Sequence, residues 1–240
     1  MCALLLLAVT PLAQADTGAG GAPSVYRVGA RQIALPVPEL FRDPSVSAPA
    51  LSAMGKTLTP PFARFLAIYV PPAAVAHAKA GNEAAMERYY LVQSNRRFEA
   101  MTFSKSGFAQ LKTQMRTQQA ELIKLAAMPA LKEGMRDMSR KLAEMAKDRT
   151  MSMKVGDIHP LGVLDESDDM ISFGSVMKLD VIKEGKPSQL VLANSTTLVR
   201  LKDKVIALYA YSDYRNDDDL AWVRSAGRTW SVSATLLNKD

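Results

Sequence analysis

Between Asp157 and Tyr211 one strand-like run follows another, with no room between them for a helical crossover. Asp157–Leu164 and Met170–Ile182 are separated only by the acidic turn Asp165-Glu166-Ser167-Asp168-Asp169. Ser188–Ala193, Thr196–Lys202 and Lys204–Tyr211 continue the series, the last two joined by the tight connection Lys202-Asp203-Lys204. Parallel pairing needs a crossover of about a dozen residues or more, whereas strands joined by short polar turns pair antiparallel. An antiparallel meander is therefore the framework into which the rest of the chain must fit.

The flanking sequence adds strands and two blocks of helix. Tyr26, Val28, Ile33 and Leu35 flank Gly29-Ala30 and predict a first hairpin that ends at Pro36-Val37-Pro38. A short helical piece around Ala48–Met54 follows, then a buried strand at Arg64–Val70 stopped by Pro71-Pro72. An Ala-rich helix at Ala73–Ala80 closes at Gly81, and Glu87–Gln93 reads as a strand that pairs with the one at Phe65. From Ser106 to Asp148 apolar residues recur at helical spacing: Phe108, Leu111, Met115, Leu122 and Leu125, then, after Pro129, Leu131, Met135, Met138, Leu142 and Met145. Two helices joined near Pro129 are expected there, with acid preceding base by three residues in pairs such as Asp137 and Arg140.

At the C-terminal end, Asn216 or Asp217 caps a helix whose apolar stripe is Leu220, Val223, Gly227, Trp230, Ala234 and Leu237. At Gly227 the missing side chain lets the helix approach the sheet closely. Helices gathered in blocks beside an antiparallel sheet define an α+β fold with a long helical insert in mid-chain and a C-terminal helix. At 240 residues, one domain over 25–240 that includes the insert 106–148 accounts for the folded part.

The N-terminus addresses the compartment. Ala3–Val9 is an apolar run, Pro11 breaks it, and Ala13-Gln14-Ala15 is a small-x-small cleavage site, so 1–15 reads as a secretory signal peptide and 16–24 as a flexible leader. No Lys or Arg precedes the run, which places the expected start of translation upstream of Met1. Cleavage after Ala15 removes Cys2, the single cysteine, and with it any disulfide, thiolate metal site or cysteine nucleophile. The mature chain carries no run long enough to span a bilayer. A periplasmic or secreted location follows.

The closing stretch, Lys204–Tyr211 (KVIALYAY), Ser212-Asp213-Tyr214 and an Asp-started helix with Trp222 and Trp230, resembles the last hairpin and terminal helix of the PsbP-like and DcrB-like α+β proteins. Ile33-Ala34-Leu35-Pro36, with Pro38 and Phe41 after it, resembles their first strand. The likeness covers about a third of the chain, and the helical insert departs from it. It implies a binding or accessory module rather than an enzyme.

Catalytic constellations are sparse. His77 and His159 are the two histidines, and neither stands in HExxH or beside a second histidine. Ser175-Val176-Met177-Lys178 matches S-x-x-K but falls in an alternating strand pattern, without the companion motifs of penicillin-recognising enzymes. The acidic clusters at Asp165–Asp169 and Asp217–Asp219 read as a turn and a helix cap. A hydrolase with a dispersed site is the catalytic alternative. No cofactor is expected.

Two features point to binding. Met135, Met138 and Met145 lie on one helical face, the pattern of flexible core filler, with Cu(I) ligation as the metal alternative in an oxidising compartment. Between Met101 and Lys154 there are 11 basic and five acidic residues, an excess equal to the net charge of +6 on the whole chain. Lys132, Arg136 and Arg140 form an i,i+4 row within that region, a candidate surface for an envelope protein or an anionic lipid surface. Nucleic acid is a poor partner for an exported chain without a recognised binding motif.

Overall fold

A computed structural model describes residues 21–82, 86–125, 136–141, 143, 144, 148 and 150–239. The expected signal peptide, the first part of the expected leader and the expected break at Pro129 lie outside the described residues. Strands β1 (Ser24–Val28) and β2 (Arg31–Leu35) form a separate two-stranded hairpin. Gly29 turns it with a φ of 58°, and a Cβ at that position would lie 2.1 Å from the Glu99 carbonyl oxygen, so only glycine fits.

The remaining strands are β3 (Ala63–Tyr69), β4 (Arg88–Asn95), β5 (Ser152–Ser167), β6 (Met170–Lys183), β7 (Lys186–Leu201) and β8 (Lys204–Asp213). They build one antiparallel sheet in the order β3-β4-β8-β7-β6-β5. The meander expected from the sequence is β5 to β8, and β8 docks on β4, pairing Tyr211 with Tyr89 and Leu208 with Val92. Two of its connections are two-residue turns with both residues at positive φ, Glu184-Gly185 and Lys202-Asp203, the geometry that matches the twist of a hairpin.

Two expectations change. Ser188–Ala193 and Thr196–Lys202 belong to a single strand, because Asn194-Ser195 sits mid-sheet with a neighbour on each side and stays paired. The turn tendency of Asn-Ser is overridden there: the Asn194 amide donates to Ala210, and Ser195 Oγ donates to the Val223 carbonyl at 2.7 Å. The acidic turn also shrinks to Asp168-Asp169, since Asp165, Glu166 and Ser167 continue β5.

Both faces of the sheet are covered. Helix α1 (Pro49–Thr57) and α2 (Pro72–Lys79) pack on one face against Ile68, Val70 and Leu91. Farther along that face, α3 (Arg96–Ala100) and the start of α4 (Lys105–Leu125) place Phe98 and Phe108 against Ile171, Phe173 and Leu198. On the opposite face lie the β1–β2 hairpin and α5 (Asp217–Leu237), whose Ala226, Trp230 and Ala234 join Val199, Ile206 and Leu208. Alternate residues of β4 and β8 enter the two cores, as Tyr90 and Leu91 do.

The close approach expected at Gly227 is present. A Cβ there would stand 2.5 Å from Thr197 Oγ1, over a floor of three hydroxyl residues, Ser172, Ser195 and Thr197. Residues 136–141 are helical and lie beside β5, where the Met153 N–H donates to Ser139 Oγ at 2.8 Å. Just beyond, Asp148 and Thr150 accept the Glu184 and Gly185 N–H groups and hold the tip of the β6–β7 hairpin.

Candidate functional site

Helix α5 is held firmly at its first turn. Asn216 caps it by accepting the Asp218 N–H at 2.9 Å, and the acidic run Asp217-Asp218-Asp219 fills the turn, where the helix dipole favours carboxylates. Asp219 is 1% exposed and accepts from the Arg215 N–H at 3.0 Å, from Arg88 Nη2 at 3.0 Å and from Ser212 Oγ at 3.1 Å. The Arg215 guanidinium, joined by Arg88, holds the Asp219 carboxyl well below the usual carboxylate range. This cluster ties α5 to β4 and β8.

Arg88 does a second job. Its guanidinium lies 4.9 Å from the ring centroid of Trp222, which meets Tyr90 edge-on at 5.5 Å. Phe41 completes the group at 4.8 Å from Tyr90 and 6.1 Å from Trp222. Burial pushes the Tyr90 phenol up, so it stays a neutral hydroxyl at physiological pH. About two helical turns further along α5, buried Trp230 donates its indole N–H to the Pro36 carbonyl at 3.0 Å.

Those contacts seat the segment Pro36–Glu39 as a strap alongside α5. A groove of about 490 Å³ separates strap and helix, floored by Tyr90 and Trp222 and edged by Ser225, Thr229 and Ser233. At the end of the strap Leu40 is held at a φ of 62° with its side chain 73% exposed, an unusual backbone for a bulky residue.

A second groove, of about 590 Å³, lies between the last turns of α5 and the β5–β6 turn. Val232 and Leu236 stand on its helix wall, 54% and 59% exposed. Its acidic wall is largely neutralised from within: Arg200 pairs with Asp169 at 2.7 Å and Arg228 with Asp165 at 3.4 Å. Glu166 pairs with Arg116 and, at 3.0 Å, with Lys112, and these partners lower its pKa, the hydrogen bond from Arg116 contributing most. Two of the 11 basic residues of the mid-chain region, buried Lys112 and exposed Arg116, are thereby paired within the chain.

The residues singled out from the sequence are dispersed. Arg136 and Arg140 are exposed, with Arg140 paired to Asp137 at 3.0 Å, while Lys132 lies outside the described residues. Met138 is half-buried; Met135 and Met145 also lie outside the described residues. His77 is exposed on α2 and His159 on β5, where it faces Val176 across the ladder. Ser175 and Lys178 lie within β6. Among the described residues no three His, Cys, Asp or Glu side chains are grouped to hold a metal ion, and no helix is long and apolar enough to cross a membrane.

The aromatic groove itself escaped the sequence reading, although its parts were visible as Pro36-Val37-Pro38, the strand with Tyr90, and two tryptophans eight residues apart on one helix. No family model matches this chain, and no curated protein matches it. Among solved structures it is similar to a mutant of the protein Mog1, at 12% identity and a TM-score of 0.30, covering 91% of this chain and 95% of that one. It is also similar to the Ran-binding protein Mog1p of Saccharomyces cerevisiae, at 10% identity and a TM-score of 0.27, covering 90% and 93%.

Proposed function

We propose that this chain is an exported, non-catalytic binding or accessory protein of the cell envelope, which recognises its partner along helix α5. The observation that carries the reading is the aromatic groove between α5 and the strap. Its walls stand on a sheet strand and a clamped helix, so the recognition surface is formed before a ligand arrives, which limits the entropy lost on binding. Its volume falls in the ordinary range of ligand sites, about 300–1,000 Å³.

Export is inferred from the apolar run Ala3–Val9 and the small residues at Ala13 and Ala15. The resemblance of the closing hairpin and helix to the PsbP-like and DcrB-like proteins agrees with a binding role. The exposed Arg136 and Arg140, with Lys132, offer a second contact for an anionic lipid surface or an acidic partner.

The test is fractionation of cells producing the full chain, with mass spectrometry of its N-terminus. A processed chain beginning near Asp16 in the periplasmic or secreted fraction is expected. Full-length protein confined to the cytosol would overturn export, and turnover of a substrate by the purified chain would overturn the non-catalytic reading. A melting temperature raised by Cu(I), and no longer raised in Met135→Leu with Met138→Leu, would replace the reading with a metal-handling one. Co-sedimentation with anionic liposomes at low salt tests the lipid contact; its loss in Arg136→Glu with Arg140→Glu is the expected result.

A further inference from the structure

We propose that the aromatic groove binds a proline-rich segment of a partner protein in the extended polyproline II conformation. This rests on the reading of the chain as a binding protein and names the chemistry of its ligand.

The protein already displays that chemistry on the same wall. Pro36-Val37-Pro38 lies against it, and the indole N–H of Trp230 takes the carbonyl of Pro36 at 3.0 Å. Each proline fixes its own φ near −65° and pushes the residue before it into extended backbone, so the strap is stiff and supplies few N–H donors of its own. An aromatic wall with an indole N–H turned to a proline carbonyl is the means by which proline-rich segments are recognised. Half-buried Trp222 lines the same groove, with buried Tyr90 packed against it.

Length and hydrogen bonding agree. Ser225, Thr229 and Ser233 follow one another at i,i+4,i+8 along α5, a row of about 12 Å at the helical rise. At about 3.1 Å per residue that row spans roughly four residues of polyproline II. A chain in this conformation makes no internal hydrogen bonds, so its carbonyls need donors. The three hydroxyls make no hydrogen bond among the described residues. They are placed to donate to those carbonyls.

Charge sets the flank. Glu39 is the acidic residue among the groove's lining residues, standing at its strap edge in a protein whose net charge is +6. A basic residue beside the prolines is preferred there, against the overall sign of the molecule. Exposed Leu40, next in the chain, adds an apolar contact at the same end.

Trp222 and Trp230 are the chain's two tryptophans, so intrinsic fluorescence reports the groove directly. The full chain is titrated with an oligoproline ending in two arginines, with a neutral oligoproline, and with a Gly-Ser peptide ending in the same arginines. A saturable spectral shift with both oligoprolines and none with Gly-Ser is expected. Ser225→Arg, which fills the groove from an exposed position on α5, is expected to weaken both about tenfold or more with an unchanged melting temperature. Glu39→Gln is expected to weaken the arginine-ended peptide and leave the neutral one alone. Equal responses to oligoproline and Gly-Ser, no saturable response, or unaltered affinity in Ser225→Arg would each overturn the proposal. Failure here in a chain that is exported overturns the ligand class alone, whereas failure of export overturns the parent reading.

Discussion

Asp219 and Gly227 sit two turns apart on α5 and act by opposite means, one by charge and one by the lack of a side chain. Asp219 is buried yet ionised because Arg215, Arg88 and Ser212 all reach its carboxylate. Asp219→Asn is expected to lower the unfolding free energy by about 2 kcal/mol near neutral pH, the scale of hydrogen bonds to charged groups, as read by urea denaturation. Its pKa is lower in the folded than in the unfolded chain, so the stabilisation is complete above the unfolded carboxylate range and is lost as pH falls through the folded value. The gap between wild type and variant is therefore expected to narrow in acid; a gap independent of pH would contradict this account. At Gly227 an added methyl meets Thr197 Oγ1 at 2.5 Å, so Gly227→Ala is expected to destabilise by about 1–3 kcal/mol through overpacking. Adding Thr197→Ala should return part of that loss in the same denaturation assay, since it removes the atom that is struck. The glycine's role was legible beforehand from the apolar stripe alone. The burial of Asp219 was not, because a third acidic residue at a helix start reads as a solvated cap until its arginines arrive from Arg88 on β4 and from the loop before α5.

Among the elements, the β1–β2 hairpin is hydrogen-bonded to the end of α5 through one side chain. Asn238, just past α5, accepts the Ala34 N–H at 2.9 Å and donates to the Ala34 carbonyl at 2.7 Å, acting as one rung of a missing strand. Asn238→Ala is expected to speed amide exchange at Ala34 about tenfold or more while leaving β7 and β8 protected; uniform loss of protection would show that the hairpin and sheet open together. Elements with strong periodicity or firm stops were readable from their residues: the first hairpin, the strand before Pro71-Pro72, the strands β4, β6 and β8, the C-terminal helix. The exceptions share one cause. Asn194-Ser195 and Asp165-Glu166-Ser167 carry turn-forming residues, and each remains in strand because neighbouring strands supply hydrogen-bond partners that outweigh local preference.

In the whole molecule the decisive pairing is β4 with β8, which joins Arg88 to Ser212 and closes the sheet across the insert. Loop closure over so long a separation must precede its reward, so refolding is expected in milliseconds to seconds by stopped-flow tryptophan fluorescence; completion within microseconds would contradict it. The same pairing assembles the groove. Pro36 and Tyr90 come from the first half of the chain and Trp222 and Thr229 from its end, and no short-range spacing relates them. Likewise, the basic excess of the mid-chain region was countable in advance, but Lys112 and Arg116 pair with Glu166 only because β5 passes beside α4. What the chain determined by itself was its class: alternation and short turns admit only an antiparallel meander, and helical spacing places the helices, since both patterns act between near neighbours. Which side chains from distant segments meet was decided by the tertiary structure, because contact across a sheet depends on strand order and register, and these are properties of distant segments taken together.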